Sequence, residues 1–176
     1  MKTAFFDVDT QLDFLFPAGA LYVPGAEEVA PALAQLTSFA KERGIPIVST
    51  LDTHLEDDPE FATWKPHCVR GTHGWQKYSA TLAGQTLFEK NRIDFFDDGR
   101  LARLLDELAA ERFVVYGLVT EYCVRSALFG LLKRGARVEF VTDAAKSLDA
   151  AREREVLERF TAEGGRLVRT EEIVTG

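Results

Sequence analysis

The chain has 176 residues, 46% hydrophobic and 11% aromatic, a length that predicts one domain with a sizeable core. Its 21 basic residues stand against 28 acidic ones for a net charge of −7, with no lysine–arginine cluster, which argues against a nucleic-acid footprint. No apolar run approaches the roughly 20 residues of a membrane span, and Asp7 and Asp9 arrive too early for the apolar part of a secretory leader, so no membrane partner and a cytoplasmic location are expected.

Thr3 to Val8 is a short apolar run that ends in acids, the pattern of a buried strand with function at its C-terminal end. Glu27 to Arg43 carries Val29, Leu33, Leu36 and Phe39 at helical spacing and is closed by Gly44. Ile45 to Leu51 is the next strand. Residues 52 to 78 are long and irregular, and they hold His54, His67 and His73. Loops of that length are usually functional or disordered, and Trp64, Trp75 and Pro66-His67-Cys68 argue for the first. His73 reads as a simple loop residue.

Thr86 to Lys90 is a short strand, and Gly99 to Glu111 a helix bearing Leu101, Leu104, Leu105 and Leu108. Phe113 to Gly117 is a strand, followed by a helix from Thr120 to Arg134. Arg137 to Thr142 is a strand, Asp149 to Glu163 a helix, and Leu167-Val168 a last short strand. Strands alternating with helices predict an α/β fold, a mostly parallel, doubly wound sheet in a three-layer α/β/α sandwich. No repeat or linker divides it, so residues 1–176 are expected to be one domain. Such sheets place their sites at the carboxyl ends of the strands. Asp9, Asp52, Lys90 and Cys123 each follow a strand, so all four are predicted on one rim.

Thr120 reads as the N-cap of its helix, which would make Cys123 the third helical residue. Free N–H groups and partial positive charge there bias a thiol toward thiolate, the nucleophilic form. Two cysteines suit a reducing compartment and free thiols, with a Cys68–Cys123 bridge as the alternative. A carboxylate beside the thiol can take its proton and return it to a leaving amine, and a lysine steadies both anions. Asp9 and Lys90 supply these groups on the rim. Taken singly, each has a structural alternative: a turn cap for Asp9, a solvated strand end for Lys90, a small apolar helix residue for Cys123.

Asp52 and His54, together with the distant His67, make an N/O ligand set suited to zinc, iron or manganese rather than copper or calcium. The intervening Glu56, Asp57, Asp58 and Glu60 offer a further carboxylate. A surface cluster without a metal is the alternative.

These motifs resemble those of the isochorismatase-like cysteine hydrolases, and within that family the nicotinamidases (pyrazinamidases), over nearly the whole chain. Val8-Asp9-Thr10-Gln11-Leu12-Asp13-Phe14 matches the family opening that carries a catalytic aspartate. Phe88-Glu89-Lys90 matches the catalytic lysine, and Gly117-Leu118-Val119-Thr120-Glu121-Tyr122-Cys123-Val124 the nucleophile motif. The resemblance implies a cis peptide at Leu118–Val119 and an oxyanion hole from the N–H groups of Val119 and Cys123. It implies one divalent ion, zinc with iron or manganese as alternatives, on Asp52, His54, His67 and Glu60, the last seven residues before His67. It places Phe14, Leu21, Trp64 and Tyr122 around the substrate ring. Lys65 replaces a family proline, and Tyr122 departs from a histidine common before the cysteine.

The reaction so implied is hydrolysis of nicotinamide to nicotinate and ammonia through a cysteine thioester, a step of NAD salvage. The ring nitrogen would sit on the metal, Asp9 would move the proton, and Lys90 would support the charges. Homo-oligomers are common among such proteins. The first rival is a relative acting on another small amide or a ureido acid without a metal. A more distant rival is a phosphatase of the haloacid dehalogenase type, suggested by Asp7-Val8-Asp9, although Thr10 stands one residue too early for that motif.

Overall fold

The computed structural model describes all 176 residues. Six strands form one parallel sheet: β1 (Thr3–Val8), β2 (Ile47–Asp52), β3 (Thr86–Lys90), β4 (Arg112–Leu118), β5 (Arg137–Lys146) and β6 (Arg166–Val168). Their order across the sheet is β3-β2-β1-β4-β5-β6. The central strands are buried on both faces, so they read as continuous apolar runs rather than alternating ones. The predicted doubly wound α/β architecture is the one observed.

Two apolar clusters lie on the two faces. Phe6, Val8, Phe113 and Val115 pack with Leu105, Leu128, Leu131 and Phe160 on one side. Phe5, Val114, Tyr116 and Val141 pack with Leu33, Leu36 and Ile173 on the other. The helices that cover them are α2 (Ala30–Glu42), α3 (Gly99–Leu108), α4 (Arg125–Lys133), α5 (Ala150–Ala162) and a short terminal α6 (Thr170–Val174), with a single turn, α1 (Leu12–Leu15), near the start. Side-chain caps mark two of the starts. Asp98 accepts the Arg100 N–H at 2.8 Å, and Asp149 accepts those of Ala151 and Arg152 at 2.8 and 3.2 Å. Such a cap stabilises a helix by about 1 kcal/mol.

Several expected boundaries shift. The helix predicted from Glu27 opens with a 3₁₀ turn over Ala26–Val29 before α2 begins. β5 runs to Lys146, four residues beyond its predicted end, because it bulges against β4 and resumes pairing at Gly117 and Leu118. The helix predicted from Thr120 starts as a π-type turn, Thr120–Val124, and becomes α-helical at Arg125. Thr120 is not its side-chain cap. Its buried hydroxyl donates instead to the Lys146 carbonyl of β5 at 3.2 Å, so the neighbouring strand competes for the group that capping would have used.

The chain order along the sheet reverses between β1 and β4, which are neighbours. Crevices at such reversals, outside the carboxyl ends of the strands, are where open α/β sheets hold ligands. At that point Gly117 adopts φ +120°, and a Cβ there would come within 2.1 Å of the Val8 carbonyl oxygen. Only glycine lets the ends of β1 and β4 approach this closely. No helix is long and apolar enough to cross a membrane.

Candidate active site

Asp9 leaves the end of β1 with φ +47°, a left-handed conformation that turns its side chain toward the reversal point. Lys90 ends β3, two strands away from β1, and its long side chain spans the intervening β2. Its Nζ lies 2.8 Å from Asp9 Oδ2, 2.9 Å from Asp52 Oδ1 and 3.3 Å from Cys123 Sγ. The four rim residues predicted from the strand ends therefore meet around one ammonium group. All four are buried. The peptide between Leu118 and Val119 is cis, and Val119 and Cys123 both face the same pocket.

Burial drives the charges in this cluster. Desolvation opposes the Lys90 cation, but Asp52 and Asp9 outweigh it and hold its pKa well above the usual lysine value. Desolvation likewise opposes the Asp52 anion, yet Lys90, His54 and His67 keep that carboxyl well below its usual range. Cys123 departs from expectation. The sequence predicts a thiolate-biased cysteine, whereas burial pushes its pKa well up, with Lys90 opposing and Asp9 reinforcing the rise. The helix that was to stabilise the anion opens as a wider π-type turn, and the sulfur is removed from water. Burial thus favours the neutral thiol over the thiolate at this position. Both cysteines are free, which excludes the Cys68–Cys123 bridge.

The histidines gather beside this cluster. His54 Nε2 and His67 Nε2 lie 3.0 and 3.2 Å from the same oxygen, Asp52 Oδ2. One ligand atom from each of Asp52, His54 and His67 falls within 4.8 Å of the others. His67 Nδ1 sits 2.7 Å from the Lys65 carbonyl, a contact that requires the N–H on Nδ1. In the neutral ring Nε2 then presents a lone pair to a carboxylate oxygen. Two electron-rich atoms so placed need a cation between them, either a proton or a metal. His54 has the same need, because its Nδ1 is 2.9 Å from Asp58 Oδ2 while its Nε2 faces Asp52. Burial lowers the affinity of His54 for a proton, but hydrogen bonds and charge from Asp52 and Asp58 raise its pKa to about 9. The donor set, two imidazoles and a carboxylate in a buried recess, fits a divalent zinc-like ion. Glu60 Oε1 is 4.0 Å from His67 Nε2, at the edge of this group. His73 lies exposed in its loop, as expected.

The pocket above has a volume of about 560 Å³, its open mouth included. Asp9, Cys123, Asp52, His67 and Glu60 line it, and Phe14, Leu21, Trp64 and Tyr122 form its predicted apolar wall. Trp64 meets Tyr122 edge to face at 5.6 Å, and Phe14 packs on His67 at the same ring separation. Tyr22, Val23, Ile93 and Leu148, from connections whose path only the fold defines, and Leu118, at the end of β4, add to the wall.

The supporting residues were also missed. Gln11 grips the end of β2, donating to the Asp52 carbonyl at 2.8 Å and accepting the Asp52 N–H at 2.7 Å. Asp13 ties two loops together, accepting the N–H groups of Ala20 and Cys68 at 2.8 and 2.7 Å. The available signal was a polar residue inside an otherwise buried motif. Asp7, the first carboxylate of the phosphatase-like reading, accepts from Ser49 and Lys77 beneath the site and does not line the pocket.

Comparison with known proteins places this geometry. The Isochorismatase domain model matches residues 3–172. A nicotinamidase of Escherichia coli is 26% identical over 175 residues, covering 81% of this chain and 82% of that protein. The zinc complex of a Pyrococcus horikoshii pyrazinamidase superposes with a TM-score of 0.90 at 30% identity, over 96% of this chain and 99% of that one. An N-carbamoylsarcosine amidase of Thermoplasma acidophilum superposes with a TM-score of 0.84 at 27% identity, over 97% and 98%. The chain belongs to the isochorismatase family.

Proposed function

We propose that the protein is a metal-dependent amidohydrolase that converts nicotinamide to nicotinate and ammonia, acting as a single domain. The observation that carries this reading is the placement of Cys123, with Lys90 at 3.3 Å, at the floor of an aromatic-walled pocket flanked by Asp52 and His67. The similarity to the nicotinamidase and to the zinc-bound pyrazinamidase supports the substrate.

Asp9 takes the thiol proton as Cys123 attacks the carboxamide carbon. The C–S bond forms, and the carbonyl oxygen becomes an oxyanion held by the N–H groups of Val119 and Cys123. Asp9 gives its proton to the departing nitrogen as the C–N bond breaks, leaving a thioester and ammonia. Asp9 then takes a proton from water, whose oxygen attacks the thioester carbon; the C–S bond breaks, Asp9 returns that proton to the Cys123 sulfur, and the acid leaves as nicotinate after losing its own proton to solvent. Lys90 keeps the anionic forms of Asp9 and Cys123 bound throughout. Phe14, Leu21, Trp64 and Tyr122 hold the flat ring and exclude water. Asp52, His54 and His67, with Glu60 beside them, would hold a divalent ion, which when bound supplies a Lewis acid for a ring nitrogen.

The test is ammonia release from nicotinamide by the purified protein, with and without a chelator. Loss with chelator and with Cys123→Ala supports the reading, while full activity in either condition sinks it. A second reading, a related hydrolase of a ureido acid, is favoured by the likeness to the N-carbamoylsarcosine amidase. Hydrolysis of N-carbamoyl amino acids by metal-free protein would select it.

A further inference from the structure

Thr50 lies within β2, in a stretch of strand that is buried throughout. Its side chain is 0% exposed, and both of its hydrogen-bonding capacities go to a single residue. The hydroxyl donates to Asp9 Oδ1 at 2.6 Å and accepts the Asp9 backbone N–H at 3.2 Å. That residue stands at φ +47°, where a side chain other than glycine persists only if its surroundings hold it. The other carboxylate oxygen, Oδ2, is held at 2.8 Å by Lys90. One oxygen of Asp9 is therefore fixed from β2 and the other from β3, which sets the plane of the carboxylate relative to Cys123.

A carboxylate turns easily about its last bond, because that torsion is broad and roughly two-fold. Without the hydroxyl, Oδ1 is left buried with no donor, and the group gains by rotating toward Lys90 to pair through both oxygens. That rotation changes which Asp9 oxygen faces the Lys90 and Cys123 pair. We propose that Thr50 is the positioning residue for Asp9 in the reaction proposed above, one hydroxyl fixing both the left-handed backbone and the plane of the carboxylate. Thr50 does not line the substrate pocket, so its effect falls on the proton-transfer step rather than on binding.

The experiment compares Thr50→Val, Thr50→Ala and Thr50→Ser with wild type and Asp9→Asn, all metal-loaded and matched for metal content. Two quantities are read: kcat and KM for nicotinamide, and the rate of Cys123 alkylation by iodoacetamide, followed by peptide mass. Loss of a hydrogen bond to a charged group predicts a fall in kcat on the order of ten- to a hundredfold for Val and Ala. KM is expected to stay within about twofold, the mark of an interaction that matters after binding. Alkylation of Cys123 slows in Val and Ala, and Ser recovers both readouts because it keeps the hydroxyl.

Unchanged kcat and alkylation in Val and Ala overturn the proposal. So does a Ser variant as slow as Val, which would assign the effect to the lost methyl. A wild-type protein inert toward nicotinamide refutes only the substrate, and the alkylation arm still decides the role of Thr50. Alanine removes atoms without adding any, so it stands in if the valine variant does not fold.

Discussion

Lys90 Nζ is 2.9 Å from Asp52 Oδ1, while the other oxygen of the same carboxylate faces both histidines. One side chain thus belongs to the nucleophile cluster and to the candidate metal centre at once. Each cluster is buried and each supplies charge that the other needs. Lys90 pairs with two buried carboxylates, Asp9 and Asp52, and its charge holds the Asp52 carboxyl well below its usual range against the pull of burial.

Lys90→Met should therefore cost more than activity. Removing one partner of a buried ion pair leaves uncompensated charge, with a typical penalty of about 3–5 kcal/mol. Two carboxylates lose their shared cation here, though Asp9 keeps the Thr50 hydroxyl and Asp52 the two histidines. Urea unfolding of the variant, alongside ammonia release at temperatures where it stays folded, should show both losses. A folded, fully stable Lys90→Met protein would mean that Asp9 and Asp52 are held by something other than this cation.

A pH dependence follows from His54. In the metal-free protein its pKa is raised to about 9, so the ring is protonated at neutral pH. The folded value lies above the ordinary histidine value of about 6.5. This contact therefore stabilises the metal-free protein fully below about pH 6.5 and loses that contribution as pH rises through about 9. A metal ion must displace the proton, so apparent metal affinity should climb with pH, by up to about tenfold per unit, until about pH 9. Titration calorimetry with zinc at pH 7.5 in buffers of different ionisation enthalpy should report release of about one proton. Affinity that is flat from pH 6.5 to 8.5 would remove His54 from the ligand set.

Much of this site was legible before any coordinates. Asp9, Asp52, Lys90 and Cys123 were placed on one rim because a parallel sheet aligns its strand ends, and that rule needs only the strand sequence. His54 and His67 declared themselves by residue type. What stayed hidden depended on distances between segments far apart in the chain. Thr50 and Gln11 reach residues 41 positions away, and Asp58 matters because a turn folds it back onto His54. For Cys123 the sequence expectation meets an opposing effect. A helix start favours a thiolate, but the cost of burying it is larger, and burial cannot be read from local spacing.

The two cysteines should separate cleanly. Cys68 is fully buried with its thiol pKa pushed up by burial, and it does not line the pocket. Cys68→Ala removes one sulfur from a packed region and should cost about 1–2 kcal/mol of stability while leaving kcat nearly intact. Cys123→Ala should abolish turnover and leave metal binding unchanged. Ammonia assays and calorimetry on the two variants distinguish these outcomes. Turnover lost equally in both would point to a role for Cys68 in holding its neighbour His67.

Trp64 tests whether the pocket wall selects an aromatic ring. It lines the pocket and packs edge to face on Tyr122, which lies on the same turn that carries Cys123. It is held by a loop rather than by the sheet, so removing its ring should perturb binding more than folding. Aromatic contacts of this kind contribute about 0.5–1.5 kcal/mol beyond the area they bury. Trp64→Ala should therefore raise KM for nicotinamide by roughly tenfold or more, while Trp64→Phe keeps most of the affinity. For a small aliphatic amide, which has no ring to stack, the same substitution should change KM little. Steady-state kinetics on the two substrates measures the difference. Equal effects on both would mean that Trp64 shapes the pocket as a whole and does not recognise the ring, and the case for an aromatic substrate would then rest on Phe14 and the histidine cluster.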